Sequence, residues 1–251
     1  MKEKTLPMET VGSALDNWKD IWSSKSAGYS IASDGSMTDL LRLDGFDSGM
    51  GYISPENWFE YVRQTCETIG LATDDEFLEV GCGAGAFMHA LSPCPRIQVG
   101  VDYSANQIKM AKEFKSEQMM FFEKDANDIH TLEKKFDVVL VNSVIQYFPS
   151  MDYFLEFFGK VVAVLRDGGR GCVLDINDIE KKDEYTRRRY IEHGGKKKYL
   201  ENYKGLKHAF YSREQILEIL ERLGVGSVRI EDQFIRNCRV SEFRFNVFFE
   251  K

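Results

Sequence analysis

Between residues 75 and 177 short, almost unbroken apolar runs alternate with stretches whose apolar positions fall three and four apart. Runs at 76–80, 96–101, 119–123, 136–141 and 171–176 read as strands. Stretches at 84–91, 104–115 and 153–165 read as helices, the last stopping at Asp167-Gly168-Gly169. Strands apolar at every position are buried on both faces, and their alternation with helices implies a parallel sheet with helices on each side. The pattern predicts a doubly wound α/β fold. Further on, Ser212-Arg213-Glu214-Gln215 opens a helix that ends at Gly224. Two alternating strands follow at 227–234 and 242–249, separated only by a short turn near Asn237, so they pair antiparallel.

The first 70 residues have a different texture. Ser54 before Pro55 is a cap with proline at the first helical position, opening an amphipathic helix to about Ile69. Ahead of it a segment carrying Trp18 and Trp22 reads as helical, followed by a stretch dotted with Gly28, Gly35, Gly45, Gly49 and Gly51. Apolar residues without strand pattern predict a helical cap or lid over residues 1–70, laid on a core domain of residues 71–251.

Charge changes the picture locally. The 251 residues carry 33 Lys and Arg against 40 Asp and Glu, and this net −7 argues against a nucleic-acid partner. Residues 180–213 invert the balance with 11 basic against 5 acidic side chains, including Arg187-Arg188-Arg189 and Lys196-Lys197-Lys198, so a basic insert is expected at about 178–211. It is either a solvated surface or a set of residues of which one or two attract an anionic substrate. The N-terminus has no apolar signal core and no run reaches the length of a membrane span, so a cytoplasmic protein without a membrane partner is expected. Five scattered cysteines without a CxxC pair fit free thiols, and no metal-ligand set is visible. The pattern leaves monomer and homodimer both open.

The chemistry concentrates at the strand ends. The first strand closes on Glu79 and runs into Gly81-Cys82-Gly83-Ala84-Gly85, where glycines at alternate positions let the backbone turn tightly against a ligand. The same loop satisfies the dinucleotide pattern through Gly81, Gly83 and Ala86. Asp102, at the end of the second strand, is suited to accept two hydrogen bonds from a ribose diol, a device that NAD enzymes share. Asp125-Ala126 after the third strand, the polar and aromatic run from Asn142 to Phe148 after the fourth, and the antiparallel finish separate the chain from an NAD domain.

Residues 79–85, Asp102, Asp125-Ala126 and residues 136–148, in that order and spacing, resemble the class I S-adenosylmethionine-dependent methyltransferase family, of the small-molecule type. The resemblance covers residues 73–251. It implies a Rossmann-like seven-stranded sheet, mostly parallel, with the last strand inserted antiparallel. It also implies that S-adenosyl-L-methionine is the cofactor, with Glu79, Gly81, Cys82, Gly83 and Gly85 near the methionine moiety and Asp102 on the ribose. Tyr103, Asp125 and Ala126 would flank the adenine, Asn142 would adjoin the cofactor, and Tyr29 would contact the methionine carboxylate.

The acceptor side rests on fewer signals. The lid would contribute Trp22 to an aromatic wall with Trp18 and Tyr29, or these tryptophans simply pack the lid onto the core. Gln146 and Tyr147 follow the fourth strand, where family members line the methyl-transfer site, and His208 with Tyr211 forms the preferred substrate-facing pair of the insert. Tyr147 and His208 are the candidate catalytic groups, because a base is needed only when the acceptor arrives protonated. The expected function is methyl transfer to an N, O or C atom of a small molecule, anionic in the sharper reading, with specialised metabolism as its expected setting. The alternatives are an RNA or protein methyltransferase, an NAD-dependent oxidoreductase and a non-catalytic S-adenosylmethionine-binding subunit. Against the second of these four readings stands Asn142-Ser143-Val144-Ile145, in place of the Asn/Asp-Pro-Pro-Tyr/Phe run usual there.

Overall fold

Seven strands form one sheet in the order β3-β2-β1-β4-β5-β7-β6, in a computed structural model that describes residues 12–25, 36–46 and 53–251. The strands are β1 (Glu76–Val80), β2 (Ile97–Asp102), β3 (Met119–Glu123), β4 (Phe136–Asn142), β5 (Leu165–Asn177), β6 (Ser227–Asp232) and β7 (Arg244–Glu250). The first five pair parallel, and β7 is antiparallel to both neighbours, inserted between β5 and β6. This is the expected mixed Rossmann-like sheet.

The described helices are α1 (Gly12–Lys25), α2 (Met37–Leu43), α3 (Pro55–Ile69), α4 (Ala86–Ala90), α5 (Ala105–Phe114), α6 (Met151–Val164), α7 (Lys182–Glu192), α8 (Lys196–Asn202) and α9 (Arg213–Arg222). Serine hydroxyls begin five of them: Ser36, Ser54, Ser104, Ser150 and Ser212 accept backbone N–H groups of α2, α3, α5, α6 and α9. Each removes one of the orphan donors at a helix start.

Alternation along the strands sorts the core into two layers. Phe77, Val138, Leu140 and Cys172 face α3, α4 and α5 through Tyr61, Phe87 and Ile108. Leu78, Val139, Val141 and Val173 face α6 and α9 through Phe154, Phe158, Ile216 and Leu220. All carboxyl ends of the parallel strands emerge on one edge, where ligands of open α/β sheets bind.

Several boundaries differ from the sequence pattern. The helix expected at 84–91 is only α4, because Gly85 with φ +92° caps it and the loop before it is tied up elsewhere. The helix expected from Tyr153 begins at Met151, since Ser150 supplies the cap. The fifth strand starts at Leu165 and is interrupted by a bulge at Asp175, whose φ is +65°. No described helix is long and apolar enough to cross a membrane.

Candidate active site

The turn after β1 holds its shape through short-range constraints. Gly81 and Gly83 have φ of +75° and +53°, and a side chain at either would strike Val144 or the Asp44 carboxylate. Asp44 ends α2 and accepts the N–H groups of Ala84 (2.6 Å) and Ala86 (3.0 Å), so a segment before the sheet is pinned to the loop. Asp102 accepts the N–H groups of Gly83 (3.1 Å) and Ser104 (2.8 Å). Burial nevertheless pushes its carboxyl up to about 6, only partly offset by those two N–H groups.

Beneath the loop lies Glu79, buried, with its Oε2 lacking any partner. Burial first, then the neighbouring Asp44 and Asp102, raises its carboxyl well above the usual range. Glu79, Gly81, Cys82, Gly83, Asp102, Tyr103, Ala126 and Asn142 line one slot, together with Trp22, Phe46, Trp58, Lys124 and Tyr147. A slot walled by three carboxylates and aromatic rings suits a ligand that combines an adenosine with cationic groups.

A second cavity of about 480 Å³ adjoins it. Trp22, Asp44, Phe46, Asn142, Ser143 and Tyr147 line both, and so mark the passage between them. Beyond the passage the walls come from α1 (Trp18, Ile21), the insert (Tyr185, Arg189, His193, Tyr203, His208) and the C-terminal strands (Gln233, Arg244). Trp18 stacks on His208 with centroids 4.9 Å apart and lies 4.8 Å from Tyr147, and Trp22 meets Tyr147 edge-on at 5.7 Å. Trp18 also donates its indole N–H to Lys207 O at 2.9 Å, and Lys19 pairs with Asp125 at 2.8 Å, fastening α1 across the strand ends. Burial pushes Tyr147 up to about 12 and His208, with help from Arg189 and Arg244, down to about 3.

Most of the expected residues that the structure describes meet here, and three do not. Tyr211 is turned into the α6 layer, where its hydroxyl donates to Ile145 O at 2.7 Å and its ring packs on Phe154. It is no partner of His208 in the cavity. Asp125 spends its carboxylate on Lys19, the Tyr153 hydroxyl and the Asn127 N–H, so the slot is lined by its neighbours Lys124 and Ala126 instead. Gly85 faces Phe121 and His89 as the helix cap, away from the slot. Tyr29 lies outside the described residues. Gln146 lines the second cavity with a buried Oε1 that has no partner.

The pattern gave no sign of Asp44, Tyr61, Asp175 or Arg244. Tyr61 donates to Asn142 Oδ1 at 3.1 Å, and Asp175 holds Arg244, Ser143 and Gln233 in one buried network at the cavity floor. Ser143 and Asp175 both have positive φ, a strain that clusters at functional sites. Among the described residues no group of three or more His, Cys, Asp or Glu side chains is set to hold a metal ion.

Comparison with known proteins bears on this geometry. The family described as a methyltransferase domain matches residues 71–222. A probable non-canonical nonribosomal peptide synthetase, CymA of Salinispora arenicola, is 31% identical over 167 residues, 64% of this chain and 2% of that protein. Erythromycin 3''-O-methyltransferase of Saccharopolyspora erythraea is 33% identical over 128 residues, 48% of this chain and 40% of that enzyme. The chain thus spans a small part of the first and less than half of the second. In structure it is similar to the N-methyltransferase NodS of Bradyrhizobium japonicum with bound S-adenosyl-L-homocysteine (TM-score 0.57, 18% identity, 94% of this chain and 99% of that one).

Proposed function

The chain belongs to the class I S-adenosylmethionine-dependent methyltransferases, and from that premise we propose that it methylates a small organic acceptor bound in the cavity behind Trp18 and Trp22. The observation that carries this reading is the passage shared by slot and cavity at Trp22, Asn142, Ser143 and Tyr147. In-line displacement needs donor and acceptor to meet at one opening from opposite sides, with water kept out.

The residues fit the cofactor. Asp102 offers its carboxylate to the ribose diol, Tyr103 and Ala126 flank the adenine, and Gly81 and Gly83, which have room for no Cβ against Val144 and Asp44, keep the loop backbone at the slot wall. The orphaned Glu79 Oε2 is an acceptor for the methionine ammonium. When bound, S-adenosyl-L-methionine supplies an activated methyl group on a sulfonium, so no nucleophilic side chain is required.

The chain's own task is orientation and proton handling. Tyr147, pushed up to about 12, stays protonated at neutral pH and orients the acceptor by donating its hydroxyl. His208, held down to about 3, is neutral and accepts a hydrogen bond, yet is too weak a base to take a full proton from an ammonium. An acceptor atom that is neutral, or deprotonates in the transition state, suits this pair. Helix α1 supplies the aromatic wall through Trp18 and Trp22, and the similarity to a nonribosomal peptide synthetase and an erythromycin O-methyltransferase favours an acceptor of specialised metabolism.

Radiolabelled methyl transfer from S-adenosyl-L-methionine to a panel of amines, phenols and hydroxy acids tests the reading. Tyr147→Phe is expected to lower kcat by about 10- to 100-fold with the cofactor KM within about twofold. An unchanged kcat would remove Tyr147 from the site.

A further inference from the structure

Of the six clustered basic side chains in the insert, one is set apart. Arg187 and Arg188 lie on the outside of α7 beside Glu184 and Glu242, and Lys196, Lys197 and Lys198 are exposed at the start of α8. Arg189 alone is buried, 6% exposed, and lines the second cavity without lining the slot. Three tyrosine rings hold its guanidinium, at 4.8 Å from Tyr203, 5.5 Å from Tyr199 and 5.9 Å from Tyr185. Its Nε has no hydrogen-bond partner. Among the described residues no carboxylate lies within ion-pair distance of it.

That arrangement is costly as it stands. A buried cation is ordinarily paired, and ring faces return only part of its lost hydration. The other cavity arginine, Arg244, shows the usual solution, since Asp175 is bonded directly to it. Asp175 is in turn occupied by Gln233 and Ser143, and Asp44 by the N–H groups of the glycine loop, so neither cavity acid is left for Arg189. The positive field is felt nearby: burial and then Arg189 disfavour a charge on both His193 and His208.

We propose that Arg189 anchors an anionic group of the methyl acceptor, a carboxylate or a phosphate, in the part of the cavity that the slot does not share. This rests on the proposed methyl-transfer reading and names its substrate class. The planar guanidinium, fixed by three rings, presents a fork matched to a carboxylate or phosphate edge. Trp18, Tyr147 and His208 flank the body of the same molecule, so the charge at one end sets which atom meets the passage.

Calorimetric titration of the full chain with benzoate, phenyl phosphate and the neutral isostere benzamide, with and without saturating S-adenosyl-L-homocysteine, tests this. The acids are expected to bind at least about tenfold more tightly than benzamide. The stronger of the two acids tells carboxylate from phosphate. Arg189→Gln should abolish the preference, Arg189→Lys should keep part of it, and replacing Lys196, Lys197 and Lys198 by glutamine should leave it intact. Equal binding of acid and amide by the unaltered chain, or no binding of either, overturns the proposal whatever the variants do. Failure of S-adenosyl-L-homocysteine to bind counts separately, against the methyl-transfer reading, because the preference is also measured without it.

Discussion

Asp102 is a carboxylate held where burial opposes its charge. Its folded pKa of about 6 lies above the ordinary 3.8, so between those values the folded chain binds more protons than the unfolded one. Stability therefore falls as pH rises through that window, and the full deficit is present above pH 6. Asp102→Asn removes the titrating group but turns an NH2 toward one of the two backbone N–H donors, so its denaturant melts should lose the fall in stability between about pH 4 and 6, while S-adenosyl-L-homocysteine weakens about 10- to 100-fold. The same ligand should bind the unaltered chain more weakly as pH drops below 6. A variant both less stable and equally tight would show that the carboxylate serves the loop rather than the ligand. Glu79, Asp102 and the glycines were legible in the sequence because backbone turns and strand ends restrict residue type. Tyr211 was misread for a geometric reason: in an extended segment, side chains three positions apart point to opposite sides, so His208 and Tyr211 cannot share a cavity.

Elements outside the sheet carry the acceptor side. Helix α1 is held by Trp18, which donates to Lys207 O, by Lys19 on Asp125, and by Asn106 of α5, which donates to Ser23 O at 2.6 Å. Trp18 is buried between α1, His208 and Tyr147, so Trp18→Ala removes the main apolar contact of this helix. Loss of about 2–4 kcal/mol of local stability is expected, seen as roughly 30-fold or faster hydrogen exchange of the α1 amides with the β4 and β5 amides unchanged. Uniform acceleration would mean that α1 folds as one unit with the sheet. The strands and α3, α5 and α9 could be drawn from periodicity and serine caps, since those signals are local. Asp44 and Arg244 gave no signal, because each acts through a partner at least 40 residues away and such pairing leaves no spacing in the sequence.

At the scale of the whole molecule, the parallel strands of a mixed sheet bring the ends of β1, β2 and β4 to one edge, and two segments remote in sequence line the cavity there. The glycine loop, Asp102 and Asn142 stand on rigid strand ends, while the walls of the second cavity stand on α1 and on residues 185–208. That division explains why the cofactor end was readable before the fold was known and the acceptor end was not. Glycine turns and strand-end acids obey backbone rules, whereas the cavity arises from segments whose only shared property is where they meet. Calorimetry of the full chain with S-adenosyl-L-homocysteine and with NAD tests the central claim most directly. One site for S-adenosyl-L-homocysteine and none for NAD is the predicted result; binding of NAD without S-adenosyl-L-homocysteine would contradict it.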